Sequence, residues 1–527
     1  MSESAKVIIK EFDGTQINPD IDINSTFFAG MFEKGPVDAP VLINSARQFK
    51  NIFGRAIKEN LNDWYQVYNF LQYPETPSIL VSRAIGPNSY NAFKSKPWQG
   101  NPVQIYGYSD FITKEYDFLE PDNFIKIAAR NPGEWGNLLD ICIFTAKEFN
   151  ENKEIKKGFF ARNLTKAVNP GYYFIVVFRK DFVVETFNIK FNDIETINKN
   201  SNYIYLKQRF LDYKIYDGNL YWVDGDVLLA DGNLPHDLKP VFYGTNSIKL
   251  SGGITEQPSK DDIIEAYNSV DNKEQYQINL IIANERHPEA AVNLAKSRKD
   301  AAVIIGAPKN CNTLEENLKY ITRLKSDYSY YVSNYKKQFD EFSQKYFWCN
   351  FAGDIAGLRS RLIQANGNRE SHCKIIYNLL NVTQIEKNYH VNQRDIFANN
   401  QINTVVQNTN NYTVLGEFLL TENITNNLTT RLILNNIESR CDKIARYFIF
   451  EFNDDFTRRA LASNLRIVLD DSKAADEIDN YMIVCDDTNN SEQVIAQNKL
   501  ICDVFIKPKF LVNEIHLRFA TYNLLEL

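Results

Sequence analysis

The sequence is poor in the groups from which an active centre is built. Its five histidines, His236, His287, His372, His390 and His516, show no HExxH spacing. His372-Cys373 stands as an isolated pair, so ordinary core or surface positions are the expectation. Seven cysteines, Cys142, Cys311, Cys349, Cys373, Cys441, Cys485 and Cys502, are odd in number, scattered and without a CxxC. That excludes a disulfide framework and fits free thiols in a reducing compartment. GxSxG is absent. Gly30 and Gly35 have the spacing of a phosphate-loop opening, but Pro36-Val37 stand where Lys-Ser/Thr must be. No run approaches the ~18 apolar residues that span a membrane. The start, MSESAKVIIKEF, lacks the apolar stretch of a secretory signal. A protein made and assembled in cytoplasm is therefore expected. Lys and Arg number 59 against 66 Asp and Glu, a net charge of −7. Direct nucleic-acid binding, which needs a basic excess or stripe, is not expected.

What is present is a long chain of globular composition. Its 527 residues exceed what one hydrophobic core usually supports, so two to four domains are expected. Tyr (29) and Phe (35) are plentiful while Met (3) is scarce. Aromatics bury much area and are enriched at permanent interfaces, but a large aromatic core is the simpler reading. There is no internal repeat and no low-complexity linker.

Residues 1–22 join a strand-like run, 6–10, to a polar, turn-rich tract and read as an arm. Residues 27–32 read as a buried strand. Gly35-Pro36 and Ala39-Pro40 make a turn, and Ser45 can cap a short helix ending at Gly54. Leu61, Trp64, Tyr65, Tyr68 and Leu71 form a helical stripe before a strand at 79–84. Residues 88–245 change texture, with short alternating runs and a hairpin over 172–189 turning at 179–181. They read as a mostly β domain inserted into the core. LSGG at 250–253 reopens that core. Gly252-Gly253 could hold an anion, but a plain turn is the simpler reading. Ser259 and Asp262 form a capping box. Strands at 278–283 and 302–307 alternate with helices at 288–298 and 313–324, which argues for a parallel α/β layer. The Asn-rich tract 399–412 marks a boundary, followed by a long helix from about 428 to 447. A second helix is capped by Asn453 or Asp454.

Three β-prone runs close the chain, at 481–485, 500–506 and 513–521. The cluster 486–490 between the first two could suggest calcium, yet Asp, Thr and Asn are also what a tight turn demands. The last run alternates, with Ile515, Leu517 and Phe519 on one face and His516 and Arg518 on the other. A terminal strand needs a partner edge, in its own fold or in another copy.

Several segments, taken in order, resemble one family. VCDDTNNSEQVIAQNKL followed by FIKPKFLVNEIHLRF is similar to the C-terminal signature of contractile tail sheath proteins of myophages, the T4-like phage tail sheath family. FFAGMFEKGP with FKNIFG, NFLQYPETPSILVSRA, AARNPGEWGN, YFWCNFAGDIAGL, the strand at 412–420 and FEFNDDF match further family motifs. The resemblance runs from Phe27 to Phe519 and is weakest in 88–245 and 365–410. It implies an α+β, multidomain fold with an α/β core (23–87 and 246–400), a mostly β outer domain (88–245) and a C-terminal tube-facing domain (401–512). It also implies an N-terminal exchange arm (1–22) and a C-terminal exchange strand (513–527). Val7, Ile8, Ile9, Ile515, Leu517 and Phe519 would then cross to neighbouring subunits and complete their sheets. Arg458, Arg459 and Arg466 would face an inner tube.

The resemblance further implies no enzyme activity, no cofactor and no metal. Many copies would stack as hexameric rings, in a helical sheath around the tail tube protein. The baseplate and tail terminator proteins are the other implied partners, with no membrane insertion. Contraction would drive the tube through the host envelope for genome ejection. The site of action would be the virion tail, assembled in the host cytoplasm. Two other readings stand beside this one: the sheath of a pyocin-like bacterial injection system, and, more distantly, an α/β enzyme domain.

Overall fold

Apolar runs of alternating face set up the strands of this chain. β1 (Ser25–Gly30), β2 (Val41–Ile43) and β3 (Ile79–Arg83) come first. β4 (Ile125–Ala129), β5 (Leu139–Thr145), β6 (Tyr172–Arg179) and β7 (Phe182–Lys190) follow. Next are β8 (Ile204–Gln208), β9 (Tyr213–Tyr216), β10 (Asn219–Trp222) and β11 (Ile248–Lys249). β12 (Ile278–Ile282), β13 (Ala302–Gly306), β14 (Ser329–Ser333), β15 (Lys336–Asp340) and β16 (Lys345–Cys349) belong to the second pass. The last are β17 (Gln384–Ile385), β18 (Asn403–Gln407), β19 (Tyr412–Leu415), β20 (Ile478–Val484) and β21 (Asp503–Pro508). The computed structural model describes residues 25–75, 78–93, 104–113, 125–145, 172–180, 182–190, 194–208, 213–216, 219–222, 248–408, 411–423, 427–511 and 517.

The largest sheet has eight strands in the order β19-β18-β14-β13-β12-β1-β3-β2. Its six inner strands run parallel, and an antiparallel strand closes each edge. Period-two alternation splits the side chains between two cores. Phe28, Val81, Leu280, Ile304 and Tyr330 point to one face, where Ala352–Asn366 and Leu61–Phe70 pack. Phe27, Leu80, Ile281, Val303 and Tyr331 point to the other, covered by Lys260–Asn268 and Pro288–Arg298. These side chains are almost wholly buried, and each contributes about 1.5–3 kcal/mol.

Local chemistry sets the helix ends. The Ser45 side chain accepts from Gln48 N, and Gly54, at φ +79°, ends that helix. Ser259 with Asp262 and Thr313 with Glu316 form complete capping boxes. In AGDIAGL the two glycines allow close helix contact. A Cβ on Gly353 would strike the Gln66 carbonyl, and one on Gly357 would lie 2.8 Å from the Phe70 carbonyl.

The chain leaves and re-enters this layer through a two-ply neck. Tyr90 and Ile254 exchange backbone hydrogen bonds, as do Phe93 and Ser251. Beyond the neck lie a four-stranded sheet, β11-β5-β6-β7, the pair β4-β8 and the hairpin β9-β10. Ile127, Leu139, Ile141, Ile175, Val177 and Ile204 form a separate core there. Arg83 binds the two parts together. Its buried guanidinium donates to the carbonyls of Phe32, Glu33 and Gly35 and to that of Pro132 across the seam.

Two expected boundaries are corrected. The core does not resume at 246, because β11 pairs with β5 and residues 251–254 form the return ply of the neck. Gly252-Gly253 lie in that ply, with the Asn137 side chain bonded to both the N–H and the carbonyl of Gly253, well before the helix at Lys260. The C-terminal unit does not begin at 401. β18 pairs with β14 in the large sheet, and β19 returns along it after a turn in which Asn408 N donates to the Asn411 carbonyl. The Asn-rich tract contains the whole of β18, and Val405 and Val414 belong to the main core.

Candidate assembly surface

The C-terminal unit is built from two long helices and one hairpin. Leu428 and Leu432 anchor Leu428–Ala445 in the main core. Farther along, Ile433 and Ile437 pack against Val468 and Leu469 of Asp455–Ala474 and against Ile478. Tyr481, Ile483, Val504 and Ile506 complete this small core from one face of the β20–β21 pair. On the opposite face Met482 and Phe505 lie directly across from each other, both more than half exposed. Among the described residues no third strand joins either edge of this pair. A two-stranded sheet is marginal alone, and its open edges are templates for another strand.

The first strand starts three residues earlier than the sequence suggests and the second lies slightly later. The expected run at 500–506 becomes β21 at Asp503–Pro508, because Asn490 fixes the preceding residues. Its side chain bonds both the N–H and the carbonyl of Ile501 at 2.8 Å. The 486–490 cluster is a turn closed by its own side chains: Thr488 N donates to Asp486 Oδ1 and Asp486 N to Asn489 Oδ1.

The exchange residues inferred from sequence fall mostly outside the described residues. Val7, Ile8, Ile9, Ile515 and Phe519 do so, and Leu517 is described as an exposed residue outside any strand. The three arginines part company. Asp454, not Asn453, caps their helix by accepting from Thr457 N. Arg459 and Arg466 are exposed on one side of it. Arg458 is corrected: it is buried, donating to Asn453 Oδ1 at 2.9 Å and to Asp487 Oδ1 at 2.6 Å. It lies three residues before Leu461 and seven before Leu465, on the inward stripe.

Two features were not read from the sequence. The turn between the long helices exposes Tyr447, Ile449, Phe450, Phe452 and Phe456, with Phe450 94% and Phe452 86% exposed. Such clustering marks contact surfaces in soluble proteins. The segment FIFEF carried the signal as a dense aromatic run without helical or strand spacing.

The second feature is a buried polar knot. His372-Cys373 is not isolated, since the fold brings Glu417 beside it, with His372 Nδ1 3.3 Å from Glu417 Oε1. These three side chains have the donor types of a metal site and lie within 4.8 Å of one another. Tyr330 Oη bonds the ring at 3.0 Å and donates to the Gly416 carbonyl at 2.9 Å. Burial lowers the His372 pKa more than the Glu417 hydrogen bond raises it. The knot ties β14 to the end of β19.

No protein-family model matches the sequence. The chain is 24% identical over 447 residues to the tail sheath protein of Enterobacteria phage T4, covering 75% of this chain and 64% of that protein. It is 23% identical over 463 residues to the tail sheath protein of Vibrio phage KVP40, covering 77% and 66%. Among solved structures, the sheath tail protein of Listeria innocua superposes with a TM-score of 0.54 at 10% identity, over 92% of this chain and 94% of that one.

The fold is that of a tail sheath protein. The sheath tail protein of Desulfitobacterium hafniense gives the same result, with a TM-score of 0.53 at 11% identity and the same coverage. The chain spans about two thirds of the length of the phage sheath relatives it matches.

Proposed function

We propose that this chain is the subunit of a contractile phage tail sheath. Copies stack as hexameric rings around a tail tube and contract to drive that tube through the host envelope. The observation that carries the reading is similarity to phage tail sheath proteins over three quarters of the chain, together with a sheath fold over 92% of it. No chemistry is required. The work comes from interfaces that repack between two arrangements close in energy and separated by a barrier.

The β20–β21 pair is the acceptor for strands from neighbouring copies. Its support is physical: two edges that no strand among the described residues joins, and a chain that continues into the alternating run at 515–519. Strand addition of this kind runs head to tail and need not close, so it yields a helical array. The part beyond the neck, residues 88–254, lies on the outer surface. The C-terminal unit faces the tube, with Arg459 and Arg466 setting register by charge. Baseplate and terminator proteins cap the two ends, and the finished tail belongs to a virion assembled in the host cytoplasm.

Removal of residues 515–527 tests strand exchange. The expected product is a soluble, folded monomer with the circular dichroism of the full chain and no capacity to form sheath. Normal tubes from the truncated chain would contradict the exchange.

A further inference from the structure

The β20–β21 hairpin brings two cysteines together at its mouth. Val484 lies opposite Asp503 in the last pair of the ladder, and Cys485 and Cys502 are the next residues outward on the two chains. The residues beside them are tied down. Asn489 Nδ2 donates to the Val484 carbonyl at 2.8 Å and to Asp503 Oδ2 at 2.9 Å. Asn490 holds Ile501 through both backbone groups. Both thiols are free and half-buried, so a small reagent reaches them. Directly opposed residues of an antiparallel pair have Cβ atoms about 4.5–5.5 Å apart. A disulfide needs about 3.8 Å, a closure within the reach of a two-stranded edge.

We propose that Cys485 and Cys502 are an oxidisable dithiol, a modification site that a small-molecule disulfide such as oxidised glutathione converts into a cross-strand bond. One protein thiolate attacks a glutathione sulfur, and a glutathione thiolate leaves. The second protein thiolate then attacks the protein sulfur of the mixed disulfide and expels the second glutathione. The two thiol protons end on the two expelled glutathione thiolates, and two electrons pass from the protein to the reagent, which ends as two thiols. Burial raises the Cys485 thiol too, but the nearby Arg458 guanidinium opposes that rise, so Cys485 is the first attacker. Burial pushes the Cys502 thiol up to about 12, with the Cys485 thiol adding to the rise. Reaction is therefore slow at neutral pH and accelerates in alkali. The bond would fix the hairpin register in a chain that folds reduced and later meets an oxidising medium. This site does not depend on the sheath reading.

The test uses the full chain in glutathione redox buffer, followed by alkylation under denaturing conditions and peptide mass mapping. The expected result is loss of two of the seven thiols and one joined peptide pair linking Cys485 to Cys502. Its rate should rise about tenfold per pH unit. Cys485→Ser should abolish the joined pair. Glutathione adducts without a joined pair, a bond from either residue to the neighbouring Cys441, or seven intact thiols would overturn the proposal.

Discussion

The Lys336 ammonium donates to Asp354 Oδ1 at 2.8 Å, and neither side chain is exposed. The pair joins the start of β15 to the first turn of Ala352–Asn366. Each charge is tolerable there only because of the other. Asp354→Ala should therefore destabilise by about 3–5 kcal/mol, since it strands a buried ammonium. Lys336→Met combined with Asp354→Leu should recover most of that loss. Urea midpoints of the two variants check this, and equal losses would show that the pair is not coupled.

The helix contact through Gly357 makes a steric prediction. Gly357→Ala adds a methyl 2.8 Å from the Phe70 carbonyl, between two helices that both belong to the main core. A cost of about 1–3 kcal/mol is expected from overpacking, despite the better helix propensity of Ala. Thermal unfolding measures it. A variant as stable as the parent would mean that the helices separate freely.

Lys34 predicts a pH dependence. Its amine is buried without a hydrogen-bond partner, over the Tyr203 ring at 3.7 Å. Burial, then the nearby Arg179 charge, lowers its pKa to about 7, while Glu185 and Glu33 act the other way. The unfolded chain titrates near ~10.4. Between those values the unfolded state holds more protons, so stability should rise with pH from about 7 to 10, by at most ~1.4 kcal/mol per unit. Lys34→Met should flatten that rise and be more stable than the parent near neutrality. Guanidinium unfolding of both chains across this range decides it, and parallel slopes would contradict the assignment.

The two exposed arginines carry a prediction about recognition. Reversing the charge of Arg459 and Arg466 together should leave folding within about 0.5 kcal/mol, because both are surface positions. Assembly on a tube protein should fail or lose register, as read by electron microscopy. Reversal of Arg458 should instead unfold the local cap, since it places a carboxylate on the buried stripe and loses the bonds to Asn453 and Asp487.

Much of the architecture was legible because it rests on local rules. The capping box at Ser259, the hairpin at Arg179–Lys180 and the β–α alternation after Ile278 are all short-range patterns. Long-range choices were not legible. Asn408–Asn411 has the composition of a linker, and only the pairing of Val332 with Asn403 shows that the strands around it extend the main sheet. Glu417 reaches His372 through the fold, with no trace in sequence spacing. Arg458 and Arg459 are neighbours in sequence and opposite in environment. Only the registry of Leu461 and Leu465 separates them.

Negative-stain electron microscopy of the purified full chain, alone and with the candidate tube protein, tests the sheath reading most directly. The account predicts long hollow helical tubes in at least one condition. Tubes formed by the chain alone would identify the contracted lattice as the ground state, because nothing would template the extended one. Monodisperse small particles in both conditions would contradict the account.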